Sequence, residues 1–185
     1  MGCELTKGRL ELCKDAVGGI KKIFFFNPPM TVTETADDII TSLGVVTAYQ
    51  YDTKDVSNLT ETITTSRETG TTFFEQTLNV TVKKLDAVTR KELKLMTYGR
   101  PIVVVMDNNN NLLLCGKERG MEVTTSTTAT GTALGDLSGY TFTLVGRESE
   151  PACFLTPGSL PTEADYPFDN MTAAVTVTKG TDPPA

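Results

Sequence analysis

The run TTFFEQTLNVTVKK at residues 71–84 constrains the fold more than any other stretch of this chain. On extended backbone Phe74, Gln76, Leu78, Val80 and Val82 point one way, and Glu75, Thr77, Asn79, Thr81 and Lys83 the other. That period of two defines a half-buried strand. Phe74, Leu78, Val80 and Val82 are its expected core residues. Gly70 marks a tight turn back to a strand over residues 60–67, which is chemically different. Thr60, Thr62, Thr64 and Ser66 form one polar side, and Ile63 is the sole apolar residue among Glu61, Thr65 and Arg67 on the other. Threonine favours extended backbone. However, so little apolar surface does not offset the ordering cost of a strand inside one small domain. The pattern favours a strand with water on one face and another chain supporting its edge.

The rest of the chain supplies a scaffold for this hairpin. Asp86 followed by AVTRKELKLMTY and Gly99 reads as one capped helix, with Val88, Leu95 and Met96 on a common stripe and Leu93 on its flank. IVVVM at 102–106 is apolar on both faces and belongs in the centre of a sheet, with Val104 buried. DNNNN at 107–111 is a turn, followed by strands at 112–116 and 121–127. YTFTLVGR at 140–147 alternates again, with Phe142 and Leu144 inward. Upstream, IKKIFFF at 20–26 is a strand stopped by Asn27-Pro28-Pro29. Residues 31–43 read either as a short helix ending at Gly44 or as a loop, and 45–51 as a strand. The expectation is a mainly β domain over residues 20–150 with one flanking α-helix. An N-terminal arm over 1–19 and a proline-rich C-terminal arm over 151–185 flank it, the latter holding one strand candidate at 173–178.

Composition excludes several functions. A net charge of -6 and a pI near 4.7 argue against gripping nucleic acid by its phosphates. Histidine is absent, which removes the commonest general base and metal ligand. Cys3, Cys13, Cys115 and Cys153 show no zinc spacing and read as free thiols, with a Cys3–Cys13 bridge as the alternative. Asp107, Asn109, Asn111 and Glu118 imitate part of a calcium loop, but Leu112 stands where its glycine is required. Gly2 and Thr6 satisfy a myristoylation pattern, with Cys3 as a second acyl site. Glu4 and the acidic chain give it no basic support, and no membrane anchor is expected. The start lacks the apolar run of a secretory signal. Sequons at Asn58, Asn79 and Asn170 fall in a threonine-rich chain, where such triplets arise by composition. No phosphate loop, nucleophile elbow or tuned carboxylate pair is present. No catalysis, no cofactor and no metal are expected.

Residues 70–154 resemble the tail-tube and tail-ring proteins of tailed bacteriophages. The resemblance lies in the order of TGTTFFEQTLNVTVKKLDAVTRKELKLM, GRPIVVVMDNNNN and the final hairpin through SGYTFTLVGRESEPACFL. It covers a little under half of the chain, and the two ends fall outside it. The resemblance implies a tail-tube-like β-sandwich or barrel whose subunits form rings, usually hexameric. Hairpins of neighbouring subunits would pair into one barrel around a lumen, with the ring itself and other phage tail proteins as partners and DNA as passing cargo. It further implies assembly in the host cytoplasm and residence in the virion. Under it Thr60, Thr62, Thr64, Ser66, Glu75, Thr77, Asn79 and Thr81 face the lumen, giving a hydroxyl-rich, slightly acidic wall. Alternatives are a head-to-tail connector or baseplate ring on the same fold, or a secreted β-sandwich adhesin or carbohydrate-binding module.

Overall fold

The computed structural model describes residues 7–10, 14–35, 37–53 and 56–180. Cys3, Cys13 and the Gly2 pattern lie outside them. In chain order the elements are β1 (Ile20–Phe26), β2 (Thr33–Glu34), β3 (Ile39–Ser42), β4 (Val46–Asp52), β5 (Asn58–Ser66), β6 (Thr71–Lys83) and α1 (Ala87–Tyr98). There follow β7 (Ile102–Asp107), β8 (Leu112–Cys115), β9 (Glu122–Ala129), β10 (Gly139–Glu148), β11 (Cys153–Leu155) and β12 (Val175–Lys179). Among the described residues the protein is mainly β with one α-helix. An eight-stranded sheet runs β12-β4-β1-β7-β8-β11-β3-β2, and a four-stranded sheet runs β5-β6-β10-β9.

Two hydrophobic cores share the central strands. Ile23 and Phe25 of β1, with Val103 and Val105 of β7, face Leu78 and Val80 of β6 and Phe142 and Leu144 of β10 across the space between the sheets. The alternate residues Phe24, Phe26, Val104 and Met106 face a second core that contains Ile40, Leu43, Leu114 and Phe168. β7 is therefore buried on both sides, as its unbroken apolar run requires.

Three expectations are corrected. Residues 31–43 form the β2–β3 hairpin, not a helix or a loop, because Ile40 and Leu43 are needed in the second core and β3 pairs with β11. Residues 151–179 are not an arm. β11 pairs with β8 and β3, β12 pairs with β4, and Phe168 packs edge-on against Phe24 and Phe26 with ring centroids 5.0 and 5.7 Å away. One aromatic in a patternless, proline-punctuated stretch supplies that packing, so no periodicity announces it. The third concerns α1, which buries Leu93 and half-buries Met96, leaving Val88 and Leu95 exposed. Its rotation is fixed at the first turn. The Asp86 carboxylate accepts from the backbone N–H groups of Val88 and Thr89 at 3.1 and 3.0 Å, and the Asp86 carbonyl accepts from the Tyr140 hydroxyl at 3.0 Å.

The described residues of 7–19 are exposed and form no strand or helix. Residues 17–18 are tied to the turn after β7: Val17 N–H donates to Asn109 at 2.9 Å, and the Asn108 amide donates to the Gly18 carbonyl at 2.8 Å.

Phe168→Ala should lower stability by about 3–5 kcal/mol, as core aromatic truncations do, measured by urea unfolding. A loss under about 0.5 kcal/mol, the usual cost at a free surface, would place this residue in an arm after all. Val104→Asp should yield unfolded or insoluble chain, since it puts a charge without a partner between both cores.

Candidate functional site

The four-stranded sheet keeps one face in the core and turns the other to solvent. Its registers decide which residues share the outer face. Thr60, Thr62, Thr64 and Ser66 of β5 stand opposite Thr77, Glu75, Phe73 and Thr71 of β6, while Ile63 stands opposite Phe74 on the core side. The single isoleucine therefore sets the phase of β5. Across β10, Thr141 and Thr143 pair with Thr81 and Asn79, and Thr127 and Thr125 of β9 continue the same rows. The result is a broad surface dominated by threonine, with Asn58, Asn79, Phe73 and the Glu75–Arg147 pair among its other members.

This surface is self-satisfied and close to neutral. Thr143 Oγ1 donates to Asn79 Oδ1 at 2.8 Å, and the Asn79 amide reaches Asn58 Oδ1 at 3.4 Å, a side-chain row crossing three strands. The row also engages both side chains of the first two sequons. Glu75 is paired with Arg147 at 2.6 Å, and Glu122 with Arg100. The slightly acidic wall expected from the hairpin alone is thus neutralised by arginines from β10 and from the connection between α1 and β7.

Both edges of this sheet are open. Among the described residues β5 has no partner beyond β6, and β9 has none beyond β10. Each edge is a threonine-rich strand with nearly every residue exposed, Asn58–Ser66 on one side and Glu122–Ala129 on the other. Sequence reasoning singled out the first edge and missed that the second matches it. The repeated threonines of EVTTSTTA carried that signal. The β5–β6 hairpin also overreaches the body: Thr71, Thr72 and Phe73 lie beyond the last β10 partner of β6. Phe74, at the end of the β10 pairing, is only half-buried, and Ile63 is 61% exposed. Val82, at the opposite end of β6, is half-buried against the core. Leu78, Val80, Val104, Phe142 and Leu144 are fully buried.

The core side of the sheet carries buried polar groups with structural partners. Gln76 accepts from the Gly116 N–H at 2.9 Å, and the Glu148 carboxylate from the Glu118 and Arg119 N–H groups at 3.2 and 3.0 Å. Burial pushes the Glu148 carboxyl above its ordinary value despite those donors. Burial likewise pushes the free thiols of Cys115 and Cys153 upward, which leaves them poor nucleophiles. Lys117 is held between Glu34 and Glu150, and these carboxylates raise its ammonium above its ordinary value against the effect of burial. Among the described residues no three acidic or thiol side chains converge in a metal-holding group. Asp107, the first residue of the calcium-like pattern, already accepts from the N–H groups and side-chain amides of Asn109 and Asn111 at 2.7 to 3.1 Å.

No protein-family model, curated protein or solved structure matches the chain.

Burial acts to raise the Asp107 carboxyl, but the donors from Asn111 and Asn109 outweigh it and hold it below its ordinary value. A depressed folded value stabilises the protein above the unfolded pKa of about 3.9, and that contribution is lost as pH falls through the folded value. Asp107→Ala should therefore cost about 1 kcal/mol at pH 7 and distinctly less at pH 2.5, read from urea midpoints at both. An equal loss at both values would remove the charged carboxylate from the account, and a rise in melting temperature with added calcium would mean the turn opens to bind it.

Proposed function

We propose that this chain is a structural virion protein whose subunits close into a ring, or stack as a tube, around the DNA channel of a phage tail. The observation that carries the reading is the pair of open, threonine-rich edges on one four-stranded sheet. An exposed edge of this length is an aggregation hazard in a monomer. A head-to-tail contact that closes satisfies every edge at once.

The strand directions suit that closure. β5, β6, β10 and β9 alternate in direction, so β9 of one subunit is antiparallel to β5 of the next. Outer-face residues must oppose outer-face residues, because a one-residue slip would turn every side chain over. Thr62 then meets Thr125 or Thr127 of the neighbour, a stagger of four or six residues per subunit by the observed registers. At about 3.4 Å per residue and about 4.8 Å between strands, these correspond to strand tilts of roughly 35° and roughly 47°. Closed barrels tilt by about 35–45°, which favours Thr62 opposite Thr125.

In such a ring the threonine face lines the lumen. Its hydroxyls already bond to one another, and its carboxylates are paired, so a polyanion passing through meets few fixed partners and no basic cluster. The overreaching hairpin tip, with Ile63 and Phe74 exposed or half-exposed on its core side, then has a neighbouring subunit or ring to pack upon.

Proline at Thr62, Thr64 or Thr125 should leave the chain folded by circular dichroism but unable to assemble by light scattering, since proline supplies no ladder donor. Assembly equal to wild type would remove these edges from the closure. Lysine at Thr62, Thr64 and Thr77 together should leave folding intact and make assembled particles retain DNA in a salt-dependent manner. Unchanged DNA passage would take these positions out of the lumen.

A further inference from the structure

On the core side of the open sheet, each flank of the protein carries an unfilled feature. Beside β5 lies a groove of about 520 Å³ between the two sheets. Its floor is apolar, with Phe154 at 53% and Ile39 at 39% exposed, and its rim carries Asp37, Asp38, Glu61 and Glu150. Lys7 pairs with Asp37 and Lys117 with Glu150, which leaves Asp38 and Glu61 as the rim carboxylates without an ion pair among the described residues. Beside β9 lies α1. Facing away from its own core, the helix shows an exposed stripe of Val88, Leu95 and Tyr98 at 66%, 55% and 80%, spaced three to four residues from exposed Lys91 and Lys94. One flank is an acidic apolar groove and the other a basic apolar helix.

We infer that α1 of one copy of this chain docks into the β5-side groove of the next. The inference rests on the ring reading, because it uses the same head-to-tail contact. With Thr62 opposite Thr125, Leu59 and Glu61 at the wall of the groove lie opposite Thr128 and Ser126 of the neighbour. Thr128 is the cross-strand partner of Tyr140, whose hydroxyl holds the carbonyl of Asp86 at the start of α1. The register chosen for the sheet edges thus brings the groove level with the neighbour's helix. The two surfaces are complementary in charge as well as in apolar character, and their contact would cover Phe154, Leu95 and Tyr98 together. The sheet edges contribute backbone ladder bonds, which discriminate poorly between partners. The helix and groove contribute the side-chain recognition that fixes which edge meets which.

The test is disulfide trapping with the full chain, in a background with Cys3 and Cys13 replaced by serine. Leu95→Cys and Phe154→Cys in one chain should give a ladder of covalent multimers on oxidation, and mixing the two single variants should give dimers only. Thr62→Cys with Thr125→Cys reports the sheet edges separately. A ladder from the edge pair but none from the helix–groove pair overturns this inference and leaves the ring standing. No ladder from either pair, with a monomer by light scattering, overturns both. Independently, Lys91→Glu with Lys94→Glu should raise the protomer concentration for half-assembly by about tenfold, since two attractive exposed pairs become repulsive. An unchanged concentration would also overturn the docking.

Discussion

The two-sided burial of β7 and its neighbour β1 is the constraint on which the remaining structure depends. A strand apolar on both faces has to be covered twice. One face of β1 and β7 is covered by the four-stranded sheet and α1, the other by the β2–β3 hairpin, β11 and the segment around Phe168. This explains why a chain with so loosely patterned a C-terminal third still folds it inward. Without Phe168, Leu155 and Val175 the second face of β7 would stand in water. It also explains why the four-stranded sheet is single-faced: the core needs only one of its sides, and the other is free to be threonine.

That division of labour leaves the open sheet with two obligations that it cannot meet alone. Its edges carry backbone donors and acceptors that only another strand can pair in an ordered way, and its hairpin tip extends past the body that would cover it. Both edges are built from β-branched hydroxyl residues, which hold an extended conformation without needing burial. Such strands hold an extended conformation on their own, and in the proposed ring each would pair with a neighbour. The proposed ring follows from those properties together, and in the inferred docking the helix and groove on opposite flanks would give the contact a direction.

Much of this was legible in the sequence, and the parts that were not have definite physical reasons. The alternation of β6 and the unbroken run of β7 report burial directly, because each residue's side is fixed by period two. Ile63 sufficed to phase β5, since one apolar residue opposite Phe74 distinguishes the two faces. Phe168 was invisible because aromatics in irregular backbone, here Tyr166 and Phe168, show no period. The rotation of α1 was misread because Val88, Leu95 and Met96 look like a stripe, whereas the Tyr140–Asp86 hydrogen bond, a tertiary contact, turns Leu93 inward instead. The neutral character of the outer face depended on Arg147 and Arg100, which lie far from Glu75 and Glu122 in sequence. The second open edge was readable as a strand, but its edge position depends on topology.

The central claim is that the two open edges close upon one another to form a ring. Negative-stain microscopy of the purified protein over a rising concentration series tests it most directly. The account predicts closed, hole-bearing rings or short tubes whose abundance grows with concentration. Particles that remain single, compact monomers throughout, with soluble and folded protein, would contradict it.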